Sequence, residues 1–194
     1  MKKFKFSRRF SVAKKIALSS FIVILLAAIS GIYSLVTLRG SRSIDDRLTE
    51  HYYPLISDLK EYEDLVASTN SLATNWMYLP NLEDKAALNK IQSEIYPELK
   101  ESIYSHLVIL SEEDSSMINQ ALSEYDAVTP NIQKLKEGLS TEESYQDDFL
   151  LFELIPLLDD EISVPLKTLQ SDVSNLIANL EETSEKVIQE KFES

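Results

Sequence analysis

The sequence predicts an all-α protein in which one transmembrane helix continues into an antiparallel, up-down-up-down four-helix bundle. Three observations support this fold class. Only three of the 194 residues are glycine, too few for the tight turns that a β-sheet requires. Residues 16–38 form an uncharged, mostly apolar run. After that run, apolar residues recur at spacings of three and four, which is the period of an amphipathic helix.

Charge is divided sharply between the two parts of the chain. Residues 1–38 contain seven basic and no acidic residues, whereas residues 39–194 contain 12 basic and 32 acidic ones, a net charge of −20. A field of that sign repels phosphates, so we expect no nucleic-acid partner. The absence of cysteine excludes disulfides and thiolate metal sites.

The apolar run is long enough to cross a lipid bilayer. At about 1.5 Å per residue, a helix over residues 16–38 spans a hydrocarbon core of about 30 Å. The lysines and arginines of residues 1–15 precede it, which predicts a cytoplasmic tail. Residues 39–194 are then periplasmic or extracellular, and the chain is a single-pass protein of the cell inner membrane with lipid as a partner. The alternative is a cleaved signal peptide, with Ser30-Gly31 as a weak cleavage site.

The first two bundle helices follow from the apolar seam. The first helix continues from the membrane segment to about Leu79, where Pro80-Asn81 stops it. The second covers about Glu83–Leu110. Their seam residues are Tyr52, Leu55, Leu59, Tyr62, Val66, Thr69, Ala73 and Trp76, then Leu88, Ile91, Ile95, Leu99, Ile103 and Leu107.

The third and fourth helices are delimited by capping signals. Ser111, followed by three acidic residues, predicts the N-cap of the third helix, and Gly138 predicts its end. Thr141 is predicted to open the fourth helix. Short connections make neighbouring helices antiparallel. Because the first and fourth helices are longer than the middle pair, we expect them to extend as a two-helix, membrane-proximal stalk.

Three short segments carry a resemblance to a known family: residues 74–79 (TNWMYL), 84–85 (DK) and 96–100 (YPELK). With the layout of the whole chain, they resemble the extracytoplasmic four-helix-bundle sensor domains of bacterial methyl-accepting chemoreceptors and sensor histidine kinases. The resemblance implies a homodimer, a small-molecule or protein stimulus, and a role in signal transduction such as chemotaxis. A stimulus would shift the fourth helix relative to the first. The alternative is a single-pass structural or adaptor protein of an envelope complex.

A ligand pocket is predicted where three prolines interrupt helices at one height: Pro97, Pro130 and Pro156. A proline inside a helix frees a backbone carbonyl four residues earlier, and the first helix carries small side chains at that height. The predicted lining is Tyr62, Thr69, Asn70, Ala73, Trp76 and Phe152. The alternative is that the prolines only curve the bundle and that the aromatic residues fill its core.

Two further prolines, Pro54 and Pro165, are predicted to form a hinge at the depth where the four helices become two. No catalytic residue is predicted. The only histidines are His51 and His106, which belong to different helices and form no His-x-x-x-His pair. The sequence therefore predicts a non-enzymatic protein without a metal site or cofactor.

Overall fold

The computed structural model describes residues 26–33, 52–79 and 81–193, and all regular structure in them is helical. Residues 26–33, part of the apolar run, form an exposed helical segment in a unit separate from the one that begins at Asp46. Among the residues so described, no helix is both long and apolar enough to cross a membrane. Most of the predicted membrane helix and the junction with the first bundle helix lie outside the described residues.

Four helices, labelled α1 to α4, build the second unit. Helix α1 is Tyr53–Tyr78 and α3 is Glu112–Gly138. Helix α2 consists of Leu82–Lys90, a π-turn at Ile91–Ile95, Tyr96–His106 and a final 3-10 turn at Leu107–Ile109. Helix α4 consists of Asp148–Leu158, a π-turn at Asp159–Ser163 and Val164–Glu193.

Side-chain contacts show that neighbouring helices run antiparallel. The contacts are Asp58–Ser102 and Trp76–Lys85 between α1 and α2, Lys100–Asp126 and Gln92–Lys136 between α2 and α3, and Lys60–Glu181 between α1 and α4. We call the end where α1 begins the base, and the end where α1 finishes the tip. The buried apolar side chains of all four helices form one continuous core.

The capping signal of α3 is confirmed. Ser111 has extended backbone angles, and its Oγ accepts a hydrogen bond from the Asp114 backbone N–H at 3.0 Å. The acidic first turn suits the positive end of the helix dipole. Helix α3 also ends at Gly138 as predicted, but its φ is not positive. A Cβ there would lie 3.0 Å from Leu154 Cδ1, so glycine permits the close approach of α4.

The predicted start of the fourth helix is wrong by seven residues. Thr141 accepts a hydrogen bond from the Ser144 N–H at 3.3 Å, next to a short 3-10 turn at Glu143–Gln146. The N-cap of α4 is Asp147, whose carboxylate accepts from the N–H groups of Phe149 and Leu150, each at 3.1 Å. A carboxylate that pairs with two N–H groups satisfies more of the first turn than a single hydroxyl does.

The π-turns explain an irregular seam in α4. Leu154, Leu158, Ile162 and Leu166 are all buried, although each step between them is four residues. At 3.6 residues per turn, three such steps rotate a side chain about 120° out of the core. The π-turn at Asp159–Ser163 takes up the extra residue and keeps Leu166 inside.

The proline heights differ from the prediction. Asn131 donates to the backbone carbonyl of Glu161 at 3.4 Å, so Pro165, one turn beyond, lies near the level of Pro130. Pro156 lies higher, because its neighbour Leu154 packs against Gly138 at the end of α3. The grouping of Pro156 with Pro97 and Pro130 is therefore wrong.

The common depth predicted for the two hinge prolines is also wrong. Pro54 lies at the base, where Tyr53 and Ile188 line one groove, whereas Pro165 lies near mid-bundle. The reason is that Pro165 stands near the beginning of the 30-residue segment Val164–Glu193, which reaches the base only near Ile188. Each of Pro97 and Pro165 comes two residues after a π-turn, where the wider turn accommodates the missing N–H.

Candidate functional site

Four of the six predicted pocket residues belong to the packed core. Tyr62, Thr69 and Ala73 are fully buried, and Trp76 is 5 % exposed. Phe152 is 74 % exposed, so its predicted place in the ring is wrong. It lies between the inward positions Leu151 and Leu154 of α4 and faces solvent.

Three tyrosines occupy the space between the helices at this height. The ring centroids of Tyr96 and Tyr125 are 4.4 Å apart, and Tyr62 lies 6.3 Å and 6.1 Å from them. Their hydroxyls bond within the bundle. Tyr62 donates to the Ala121 carbonyl at 2.9 Å, and the Tyr125 hydroxyl bonds to that of Thr69 at 3.0 Å. Thr69 therefore belongs to a hydrogen-bonded core.

Tyr96 extends this network towards the surface. Its hydroxyl lies 2.7 Å from Asp126 Oδ1 and 3.2 Å from the Leu122 carbonyl. Lys100 completes the arrangement with an ion pair to Asp126 Oδ2 at 2.6 Å. Asn70, the remaining predicted pocket residue, is half-buried beside Thr69, and its Oδ1 atom is buried without a hydrogen-bond partner among the described residues.

Burial dominates the acid–base behaviour of the three tyrosines. It raises the pKa of Tyr62 and Tyr96 far above the usual value, and in Tyr96 the hydrogen bond to Asp126 adds to the effect. Burial raises the pKa of Tyr125 to about 12, although its hydrogen bond to Thr69 acts in the opposite direction. All three hydroxyls are therefore protonated at neutral pH.

A second aromatic cluster lies at the tip and includes the predicted pocket residue Trp76, but its two lysines were not predicted as site residues. Lys85 Nζ is 4.8 Å from the ring centroid of Trp76 and 5.1 Å from that of Tyr145. Lys136 Nζ lies 5.8 Å from the same Trp76 centroid. Two ammonium groups therefore face one indole, an arrangement in which the ring quadrupole stabilises positive charge.

Backbone hydrogen bonds tie this tip cluster together. The carbonyl of Leu139, just after α3, accepts from Lys85 Nζ at 2.9 Å and from the Trp76 indole N–H at 3.4 Å. Tyr145 donates its hydroxyl to the Trp76 carbonyl at 2.8 Å. Lys136 donates to Gln92 Oε1 at 2.9 Å. The upper ends of α1, α2 and α3 and the 3-10 turn before α4 are thus connected.

The two tip lysines lack carboxylate partners within the described part of the chain, where the ion pairs of lysine involve Lys60, Lys100 and Lys186. Burial lowers the pKa of both Lys85 and Lys136, and the neighbouring Glu137 partly opposes the effect at Lys136. The sequence contained one indication that Lys85 is an unusual residue. It lies in the first turns of α2, where the helix dipole disfavours a cation.

Two open grooves lie between helices elsewhere. One, of about 630 Å³, lies at the base between α1 and α4 and is lined by Tyr53, Ile56, Ser57, Lys60, Glu181, Ser184, Glu185 and Ile188. The other, of about 370 Å³, lies between α3 and α4 and includes the carboxylates of Glu124 and Asp172. Neither groove includes a residue of the predicted pocket.

Metal-binding chemistry finds no support in the described ranges, which contain no group of three histidine or acidic side chains suited to hold an ion. His106 Nε2 lies 3.8 Å from Asp58 Oδ2, and this carboxylate also accepts from Ser102. His51 lies outside the described residues. Comparisons with models of protein families, with curated proteins and with solved structures find no match to the chain.

Proposed function

We propose that residues 39–194 are the sensory module of a bacterial transmembrane signalling receptor, anchored by residues 16–38 in the inner membrane. One observation carries the proposal. Helices α1 and α4 share an extended antiparallel interface and reach the base side by side, where Lys60 and Glu181 form an ion pair at 2.7 Å. The base is also the end nearest in sequence to the apolar run.

This arrangement suits transmission of a small displacement along one helix. A sliding of α4 against α1 at the tip reaches the base if both helices are stiff, and shifts of about 1–2 Å are common in such switches. The π-turn at Asp159–Ser163 supports the proposal, since π-turns frequently mark functional positions in helices. We expect the stimulus to be a small molecule or a protein. The resemblance to the receptor family implies that the chain forms a homodimer.

A chimaera tests the proposal. Residues 1–194 are fused ahead of the second membrane helix and signalling part of a bacterial chemoreceptor, and output is measured in cells. Because the chain has no cysteine, the pair Lys60→Cys and Glu181→Cys allows a thiol-specific cross-link between α1 and α4. We expect this link to fix the output at one level.

The matched control is the pair Lys100→Cys and Asp126→Cys. It replaces an ion pair of similar length, 2.6 Å, but joins α2 to α3. This second link should leave the output responsive. Equal effects of both links, or no effect of either, would count against signalling through α1 and α4. A reporter fused after Ser194 that proves cytoplasmic would exclude the proposed topology.

The alternative, an adaptor in an envelope complex, is favoured by one observation. The outer face of the first part of α4 exposes Phe149 at 71 % and Phe152 at 74 %. Large exposed apolar side chains often mark protein contacts. If the chain is an adaptor, Phe149→Ser with Phe152→Ser should release it from its complex, whereas the output of the chimaera should not change.

A further inference from the structure

The tip cluster has a surplus of hydrogen-bond donors. A lysine ammonium has three donors and no acceptor, and Lys85 and Lys136 use one each on uncharged oxygens, those of Leu139 and Gln92. This surplus occurs in a segment, residues 39–194, where acidic residues outnumber basic ones 32 to 12. Carboxylates are abundant, yet none of those described pairs with these two cations.

Gln92 adds another donor at the same place. Its Oε1 accepts from Lys136, while its Nε2 is buried and has no partner among the described residues. Exchanging the amide oxygen and nitrogen would not help, because Nε2 would then face the ammonium of Lys136. A buried N–H without an acceptor is costly, so the side chain is poised for an acceptor that the described residues do not supply.

The groups converge on one face of α2 and its neighbours. Lys85 and Gln92 are seven residues apart on α2, so they lie two turns apart on the same side of the helix. Lys136 reaches Gln92 from α3, and Trp76 brings its ring from the end of α1 to both lysines. Two cations, one amide donor and an indole thus lie near one another at the tip.

A purely structural role accounts for part of this arrangement. Lys85 bonds the carbonyl just after α3 and Lys136 lies in its last turn, both of which suit the negative end of the helix dipole. That role leaves the buried Nε2 of Gln92 unexplained. It also does not require Lys136 to turn towards Gln92 and the Trp76 ring.

We propose that the tip cluster binds the carboxylate of a small organic acid. Gln92 Nε2 and Lys136 Nζ would bond its oxygens, Lys85 would supply a second positive charge, and Trp76 with Tyr145 would contact its apolar part. An organic acid fits better than inorganic phosphate, because the site combines a planar amide donor with aromatic faces and contains no arginine fork. The inference rests on the proposed function, for which it names the class of stimulus.

Binding of benzoate to the full chain in lipid nanodiscs, measured by titration calorimetry, tests the site. Benzamide, a neutral molecule of nearly the same shape, is the ligand control. We expect benzoate to bind and benzamide not to bind. Absence of benzoate binding, equal binding of benzamide, or tighter binding of inorganic phosphate would each overturn the assignment.

Variants locate the binding. Lys136→Met should weaken benzoate binding by about tenfold to a hundredfold, since a hydrogen bond to a charged group is lost. The matched control is Lys134→Met, which removes an exposed lysine of the same helix whose one hydrogen-bond partner among the described residues is Asn131 Oδ1. Equal affinity of the two variants would place benzoate elsewhere and overturn the proposal.

Gln92→Glu provides a test in a variant expected to remain folded. It puts a carboxylate beside Lys136, in the position proposed for the ligand oxygen, and should abolish benzoate binding while circular dichroism stays unchanged. Retained binding would contradict the proposal. Failure of the sensor hypothesis is separable: benzoate that binds the tip without changing the output of the chimaera would leave the site intact and refute the signalling role.

Discussion

The middle and the tip of the bundle both combine aromatic rings with polar groups, but they balance donors and acceptors differently. In the middle, Tyr62 donates to a backbone carbonyl and Tyr125 shares a bond with Thr69. A hydroxyl both donates and accepts, so such a network can close on itself. At the tip, Lys85 and Lys136 only donate, and the network remains open to an acceptor. A closed network favours a fixed core, and an open one favours a binding site.

The largest expected effect concerns the closed network. Tyr62→Ala should lower the free energy of unfolding by about 3–5 kcal/mol, because it leaves a large cavity among fully buried residues. Urea denaturation followed by circular dichroism measures the change. Tyr62→Phe is the control. It keeps the ring, loses only the bond to the Ala121 carbonyl, and should cost about 1–3 kcal/mol. Equal losses would mean that the ring contributes little.

Alkaline pH should lower the stability of the fold through the tyrosines of the middle and not through the lysines of the tip. In the unfolded chain a tyrosine loses its proton near pH 10, whereas burial raises the pKa of Tyr62, Tyr96 and Tyr125 in the fold. The folded state then holds more protons, so stability present below pH 10 is lost above it, by up to about 1.4 kcal/mol per pH unit for each tyrosine. The lowered pKa values of Lys85 and Lys136 oppose this trend weakly.

Thermal melting between pH 8 and pH 11 measures this dependence. Tyr96→Phe should flatten the loss above pH 10. Tyr104→Phe changes a residue that is 43 % exposed. It should give the same dependence of melting temperature on pH as the unmodified chain. A stability that stays constant to pH 11 would contradict the burial of the three hydroxyls.

Overpacking tests whether the middle contains space for a ligand. Ala73 is fully buried, so Ala73→Leu should cost about 1–3 kcal/mol through strain. If a cavity existed there, the larger side chain would fill it and stability would rise. The equivalent change at half-exposed Ala67, on the same helix, is the control and should have little effect. Urea denaturation distinguishes the two outcomes.

The smallest expected effect is at the exposed aromatic surface of the tip. Phe152→Ala should change the free energy of unfolding by no more than about 0.5 kcal/mol, because the ring is 74 % exposed. The same denaturation measurement applies. A loss of several kcal/mol would mean that Phe152 is covered, which is what the sequence prediction of a pocket ring required.

Much of the fold was predictable because helical periodicity is a local signal. The seams of α1 and α3, the Ser111 cap and the antiparallel order all follow from spacing and turn residues. The height of Pro165 did not follow, because residue counting could not show that α4 begins at Asp148 and reaches the base only near Ile188. The π-turn at Asp159–Ser163 was not predicted either. Repeated steps of four residues from Leu154 to Leu166 were the available signal.

The site was less predictable than the fold because it depends on pairing between helices. Thr69 and Ala73 were correctly placed towards the interior, but sequence could not show that Tyr96 and Tyr125 fill the space beside them. The convergence of Lys85 and Lys136 on one indole depends on how three helices meet. The one indication in the sequence was Lys85, a cation in the first turns of α2.

The π-turns also determine where the gene can lose a codon. Deleting one residue from Asp159–Ser163 would shorten the interval between Leu158 and Leu166 from eight residues to seven. Seven residues make nearly two turns of a regular α-helix, so both leucines would still face the core. A deletion in the regular part of α3 would rotate every later side chain by about 100°. Length variation within these helices should therefore concentrate at the two π-turns.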